Sequence, residues 1–384
     1  MTQLPIAGQA GTVEVEGLRK DPYQLFFPLG VLLGWVGVGQ WLWFSLGAGG
    51  NFRVLFHAMV QVQGFLACFI AGFLFTFIPR RTGTTAPAGW QLAVAAISPV
   101  LLAVFAWEDR WALAQGMWLV QLTVLLHFVI SRIRASRNPG RSPPSMIWIP
   151  VALALGVAGA LLTSFAPWQA LGRALLHEGV VGALVMGIGA MLVPVITRGQ
   201  PPANPPAPRW PHLGLAVIFI ASFVIQTETA LPQSVGYALR LAVVLWVLVH
   251  GAELWKRPTQ PGLNRRVVLA AAWCLPLGYA LLMLWPQYRA AGLHVVFLGG
   301  FGLLALAIGQ HVIAAHAGRG DWLSSWPVPT WGLAVLTAVA LVARVAMQWD
   351  SARYLQWMTL AALAFIGAGG CWLWGMAPML RPKH

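Results

Sequence analysis

Apolar segments long enough to cross a lipid bilayer fill most of the chain, and they constrain its fold more than any other feature. A helix needs about 20 mainly apolar residues to span a hydrocarbon core of about 30 Å. Hydropathy predicts twelve such spans, at approximately 24–48, 55–79, 90–107, 111–131, 146–165, 174–197, 211–230, 236–254, 267–286, 292–316, 328–348 and 354–378. The sequence therefore predicts an all-α, polytopic membrane protein with about twelve transmembrane helices.

Composition excludes an ordinary soluble protein. Only 9% of the 384 residues are charged and 58% are hydrophobic, whereas a soluble protein carries roughly a quarter charged residues. The net charge of +14 does not indicate nucleic-acid binding, because the basic residues sit in short loops between apolar segments. Cys68, Cys274 and Cys371 lie far apart inside apolar segments and form no zinc or disulfide pattern.

Lysine and arginine residues predict the orientation in the membrane. If the N-terminus is on side one, that side holds seventeen basic residues and the other side holds seven. By the positive-inside rule both termini are then cytoplasmic. We expect a cytoplasmic N-terminal segment at 1–23, a single twelve-helix transmembrane domain at 24–378 and a cytoplasmic tail at 379–384.

An arginine closely followed by a histidine recurs along the chain. The pair opens the second, sixth and tenth spans, as Arg53 and His57, Arg173 and His177, and Arg289 and His294. The histidines are 120 and 117 residues apart, and each interval holds four spans. This spacing predicts three tandem four-helix units, each with a histidine at the outer end of its second helix. The alternative is that the recurrence is a coincidence, which is easier in a chain built mainly from few residue types.

The second span carries a polar and small-residue stripe. At 100° per residue, His57, Gln61, Gly64, Cys68 and Gly72 fall on one side of the helix. Small residues at this spacing let another helix, or a flat ligand, come close. An ionisable side chain inside the membrane is a functional-site candidate by default. A lone histidine at this place would more simply cap the helix at the interface.

Three imidazoles at one depth indicate a metal cofactor. Neutral imidazole is a good ligand for haem iron and for copper, and two histidines on facing helices can hold a haem iron from both sides. We expect His57 and His294 to form this axial pair, with His177 nearby as a distal or second-metal ligand. Arg53 and Arg289, one helical turn outside, are candidate partners of the haem propionates. Helix packing alone would explain the glycines of these spans, but not the repeated arginine–histidine pairs.

Three blocks in order along the chain, at residues 57–83, 188–198 and 294–319, together resemble one known family. This is the NnrS family of nitric-oxide-response membrane proteins. Residues 57–83 align without gaps with the family's first signature. Residues 188–198 look like its IGGR-x-x-P-x-x-TR stretch, and residues 294–319 look like its H…GHTGR block. The twelve-span plan is also similar, more distantly, to the catalytic subunit of haem–copper oxidases.

The resemblance implies a function. NnrS proteins contain haem and copper and are associated with protection against nitric oxide and its metal–nitrosyl products. It implies a bacterial inner-membrane protein that transfers electrons or captures a diatomic ligand. The family's first block usually reads HxHE, but here Met59 and Val60 replace the second histidine and the acid, and Met191 replaces the arginine of the second block. We therefore expect haem, and copper only as the weaker expectation.

Two other functional classes stay open. One is a cofactor-free transporter, which the small number of intramembrane charges disfavours. The other is an assembly protein that handles haem or metal for a respiratory or denitrification complex, and the sequence does not separate it from the first hypothesis. The expected partners are the lipid bilayer and an electron donor or respiratory complex. Whether a reaction is catalysed, and the oligomeric state, are left open.

Overall fold

The structure is a computed structural model that describes residues 17–48, 52–136, 143–200 and 209–380. Within these ranges the chain forms helices and no strand. Twelve of the helices described there are long and apolar enough to cross a membrane: α1 (Tyr23–Ser45), α2 (Val54–Thr82), α3 (Gly89–Trp107), α4 (Trp111–Arg134), α5 (Pro144–Leu162), α6 (Ala166–Arg198), α7 (Trp210–Glu228), α8 (Gln233–Gly251), α9 (Leu263–Leu284), α10 (Pro286–His316), α11 (Val328–Ala346) and α12 (Ser351–Met379). The predicted fold class is confirmed. The predicted terminal segments lie largely outside the described residues and stay a prediction.

Helices α2, α6 and α10 form the centre of the molecule. Of their most apolar 18 residues, 83%, 78% and 61% are buried, against at most 56% in the other nine spans. The outer helices pack as antiparallel hairpins, α3 with α4, α7 with α8 and α11 with α12, and α12 also packs on α1. Lower burial of the outer helices is expected where one side faces lipid. The three histidine-bearing helices are therefore shielded by the others.

Each central helix departs from α-helical geometry beside its histidine. The π-helical turns are Val60–Leu66 in α2, Leu175–Gly179 in α6 and Val295–Gly302 in α10. Further π-helical turns occupy Val185–Gly189 and Leu245–Gly251. Such turns are rare and are frequent at functional sites. Their recurrence at the histidines agrees with three tandem units, whose structural equivalence stays a prediction.

Aromatic packing closes the interface between α2 and α10 at the level of Phe69 and Gly309. Phe69 stacks on Phe27 with ring centroids 4.7 Å apart and meets the edge of Trp372 at 5.9 Å. The indole of Trp372 donates a hydrogen bond of 2.8 Å to the carbonyl of Leu306. A Cβ atom at Gly309 would lie 2.9 Å from the ring of Phe69. This glycine is therefore explained by close packing.

Candidate functional site

The predicted stripe of α2 faces helix α1. The Nδ1 atom of His57 lies 2.9 Å from the carbonyl oxygen of Gly37, and Gln61 donates through Nε2 to the carbonyl of Gly34 at 2.7 Å. A Cβ atom at Gly72 would lie 2.9 Å from the side chains of two phenylalanines of α1. The small-residue spacing allowed either a neighbouring helix or a flat ligand to lie against this face. At Gly72 the neighbour is helix α1, so a flat ligand has no room at that position.

His57 and His294 each place Nδ1 against a backbone carbonyl. Nδ1 of His57 lies 2.9 Å from the carbonyl oxygen of Gly37 in α1, and Nδ1 of His294 lies 2.6 Å from that of Ala290, one turn earlier in its own helix. Because a carbonyl oxygen can only accept, Nδ1 carries the proton in both rings and Nε2 keeps its lone pair. This hydrogen bond is typical of metal-ligating histidines, whose orientation and basicity it sets. Both side chains are only half-buried, so Nε2 is available as a ligand atom.

The fold brings the three predicted histidines to one region. His57 interacts electrostatically with both His177 and His294. Helices α2 and α6 touch where the π-helical turns that follow or contain their histidines meet. Across the described ranges, no group of three or more His, Cys, Asp or Glu side chains is arranged to hold one metal ion. The assignment of His57 and His294 as a ligand pair stays a prediction.

Arg53 contacts the turn between α3 and α4. Its Nη1 donates to the carbonyl of Trp107 at 2.5 Å and lies 3.3 Å from a carboxylate oxygen of Asp109. The guanidinium also lies over the ring of Trp107, 4.8 Å from its centroid. Both polar contacts are made by Nη1 and hold the side chain against this turn, and its role as a propionate partner stays a prediction.

Arg289 belongs to the surroundings of His177. Its Nε donates a hydrogen bond of 2.9 Å to the hydroxyl of Tyr237 in α8. It also interacts electrostatically with His177, as does the exposed Arg173. Arg289 therefore connects α10 to α8 and adds positive charge beside His177.

A buried ionic network continues from this point. Glu178 and Arg240 form an ion pair of 2.5 Å, with side chains that are 2% and 0% exposed. Arg240 also donates to the amide oxygen of Gln226, whose Nε2 donates to the hydroxyl of Tyr237 at 2.9 Å. The network links α6, α7, α8 and α10. The sequence pattern placed Glu178 and Arg240 near helix ends and contained no sign that they pair.

Arg344 in α11 is the cation of the site that the sequence pattern did not indicate. It interacts electrostatically with both His57 and His294. One of its guanidinium nitrogens lies 3.2 Å from the thioether sulfur of Met347, and its Nε is buried without a hydrogen bond. In the described ranges no carboxylate lies within ion-pair distance of it. An arginine near the end of an apolar span is common at interfaces, so the packing of α11 on α10 was needed to identify it.

These donors fit a haem with two imidazole ligands. Two neutral histidines offer free Nε2 atoms, and a cation without a carboxylate partner is available for a propionate. Val60 is fully buried and has no donor atom, and Met59 is packed in the apolar core at 2% exposure. The positions that would carry further ligands in the family's first block therefore offer at most one thioether to copper.

Twelve helices long and apolar enough to span a membrane define a polytopic membrane protein, and each of its three central helices carries a half-buried histidine. A family model described as NnrS protein matches residues 18–383, nearly the whole chain. The chain belongs to the NnrS family, as its three sequence blocks predicted. No curated protein matches the sequence significantly.

Proposed function

We propose that this NnrS-family protein is an integral haem protein of the bacterial inner membrane that acts in the response to nitric oxide and nitrosative stress. His57 and His294 supply the two axial imidazoles, and a haem with both positions filled is suited to electron transfer. His177 is the candidate for contact with a diatomic ligand, a metal–nitrosyl product or a second metal. Both termini face the cytoplasm, so the histidines lie in the outer half of the membrane.

The matched hydrogen bonds of His57 and His294 carry this proposal. Each Nδ1–H is held by a backbone carbonyl, at 2.9 Å from Gly37 and 2.6 Å from Ala290. A backbone carbonyl fixes the tautomer and the ring orientation before any metal is bound, so little rotational freedom is lost on ligation. For His57 this carbonyl belongs to a different helix, α1, and a histidine that merely capped its own helix would not need such a partner.

An optical spectrum of the detergent-purified protein is the direct test. We expect a Soret band and split reduced α and β bands in the wild type. His57→Ala or His294→Ala should abolish or shift the low-spin spectrum, because each removes one axial nitrogen. His127→Ala and His250→Ala are matched controls, since both histidines are exposed near the opposite ends of their spans. A wild type without a Soret band would reject the proposal and leave the transporter alternative.

An assembly protein differs from an electron carrier in how firmly it holds its cofactor. We expect the wild type to retain its haem when it is mixed with an excess of apomyoglobin, because two axial nitrogens must dissociate before release. Transfer of most of the haem to the acceptor within minutes would instead support a role in haem handling for another complex.

A further inference from the structure

We propose that Arg344 binds a carboxylate at the edge of the His57–His294 pair, namely a propionate of the haem, and so positions the cofactor. This inference rests on the proposed function. It assigns the propionate contact to a residue of α11, away from the arginines that precede the histidines in sequence.

The first step is the charge itself. Arg344 is half-buried within a membrane-spanning helix, and a guanidinium stays protonated in proteins. A charge removed from water is costly unless an opposite charge or strong acceptors compensate it. The thioether of Met347 is a weak acceptor, and the buried Nε has no hydrogen bond. A carboxylate bound here would supply both the opposite charge and the acceptor that Nε lacks among the described residues.

The second step is position. Arg344 interacts electrostatically with both His57 and His294, although these lie on different helices. Its helix packs on the first turns of α10, Arg289–His294. A group close to two axial imidazoles is close to the edge of whatever planar cofactor they share. The propionates are the anionic groups on the edge of a haem, and the guanidinium fork matches a carboxylate in two parallel hydrogen bonds.

The third step is the comparison with the other cations. Arg53 contacts Asp109 and the α3–α4 turn. Arg289 donates a hydrogen bond to Tyr237 and interacts electrostatically with His177. Arg344 interacts electrostatically with both proposed ligands, His57 and His294. It has no carboxylate partner in the described ranges. Its contacts make it the best-placed group for a propionate.

The test measures haem content and reduction potential in the full-length protein with Arg344→Leu, Arg344→Lys and the control Arg110→Leu. Loss of the positive charge favours ferric haem, so R344L should lose haem or show a lower potential. A tenfold change in the preference for ferrous over ferric haem equals about 59 mV for this one-electron couple. R344K should keep most of the wild-type potential. R110L should match the wild type, because Arg110 is exposed in the turn before α4.

Two further arms identify the anion. With haem dimethyl ester, which has no carboxylates, the full-length wild type and R344L should retain the haem equally well, because the contact that distinguishes them cannot form. A free anion such as chloride or nitrite at Arg344 would make the wild-type potential depend on its concentration, and this result would overturn the inference. Where R344L is not obtained folded, judged by size exclusion, R344Q gives the same readout.

The outcomes separate this inference from the proposed function. A wild type without haem removes both. A haem-loaded wild type whose content and potential are unchanged in R344L and R344Q overturns the Arg344 contact alone and leaves the bis-histidine proposal standing.

Discussion

At the residue scale, the pair formed by Glu178 and Arg240 has no access to solvent and so depends wholly on its neighbours. The guanidinium of Arg240 is bonded to Glu178 and Gln226, and it lies 4.3 Å from the ring centroid of Phe223 and 4.6 Å from that of Tyr237. A buried ion pair adds little net stability over apolar residues of the same size, but removing one partner leaves an uncompensated charge. The network therefore acts mainly by fixing which parts of α6, α7 and α8 can face each other.

Glu178→Gln should destabilise the protein by about 3–5 kcal/mol, because it leaves Arg240 charged and buried. Adding Arg240→Met should recover part of this loss, since it removes the orphaned charge. The control is Glu253→Gln, whose carboxylate is 23% exposed, pairs with the exposed Lys256 at 2.9 Å and lies 3.5 Å from Arg198. That change should cost about 0–1 kcal/mol. Denaturant unfolding in detergent micelles, followed by tryptophan fluorescence, gives the comparison. Equal stability of E178Q and E253Q would contradict it.

At the element scale, hydropathy located the helices but underestimated two of them. α6 begins at Ala166 and α10 at Pro286, whereas the predicted spans start at 174 and 292. Arg173 and Arg289 end the apolar window at these points, yet the helices continue beyond the hydrocarbon region, where the backbone still satisfies its own hydrogen bonds. A hydropathy window detects the part of a helix inside lipid, and its extension into the interface depends on packing.

The same limit applies to the candidate site. The recurring arginine–histidine pairs predict that His57, His177 and His294 lie at equivalent positions of three units, and this equivalence stays a prediction. No sequence pattern marks a π-helical turn, which depends on what packs beside it. The sequence pattern did not indicate Arg344 for a related reason. The histidines with which it interacts lie on α2 and α10 and are remote in sequence.

The α1–α2 seam gives a prediction for these two elements. Gly72→Ala places a Cβ atom 2.9 Å from the Cβ atom of Phe26, which cannot move without its backbone. Overpacking of this kind costs typically about 1–3 kcal/mol. Gly116→Ala in α4 is the matched control, because a Cβ atom there meets nothing within 4 Å. The same unfolding assay should show a loss for G72A and little change for G116A. A G72A protein as stable as the wild type would mean that α1 can shift away from α2.

At the scale of the whole molecule, exposed tryptophans lie at two levels, as expected for anchors at the two membrane interfaces. One level is formed at the ends of the spans near the predicted outer side, by Trp43, Trp107, Trp168, Trp285 and Trp349. The other is formed near the predicted cytoplasmic side, by Trp90, Trp210, Trp246, Trp255, Trp326, Trp331 and Trp374. The spans between them run in alternate directions, so an even number of crossings returns the chain to the side from which it started.

This arrangement leads to a prediction of topology. The side that carries the chain ends also carries seventeen of the 24 lysine and arginine residues, and basic loops are retained in the cytoplasm. Fusions of alkaline phosphatase and of green fluorescent protein after Arg141 and after His384, two positions outside the described residues, should therefore both report cytoplasm. A fusion after Arg110, in the turn between α3 and α4, is the control and should report the periplasm. A periplasmic signal at Arg141 or His384 would contradict the predicted orientation and the placement of the three histidines in the outer half of the membrane.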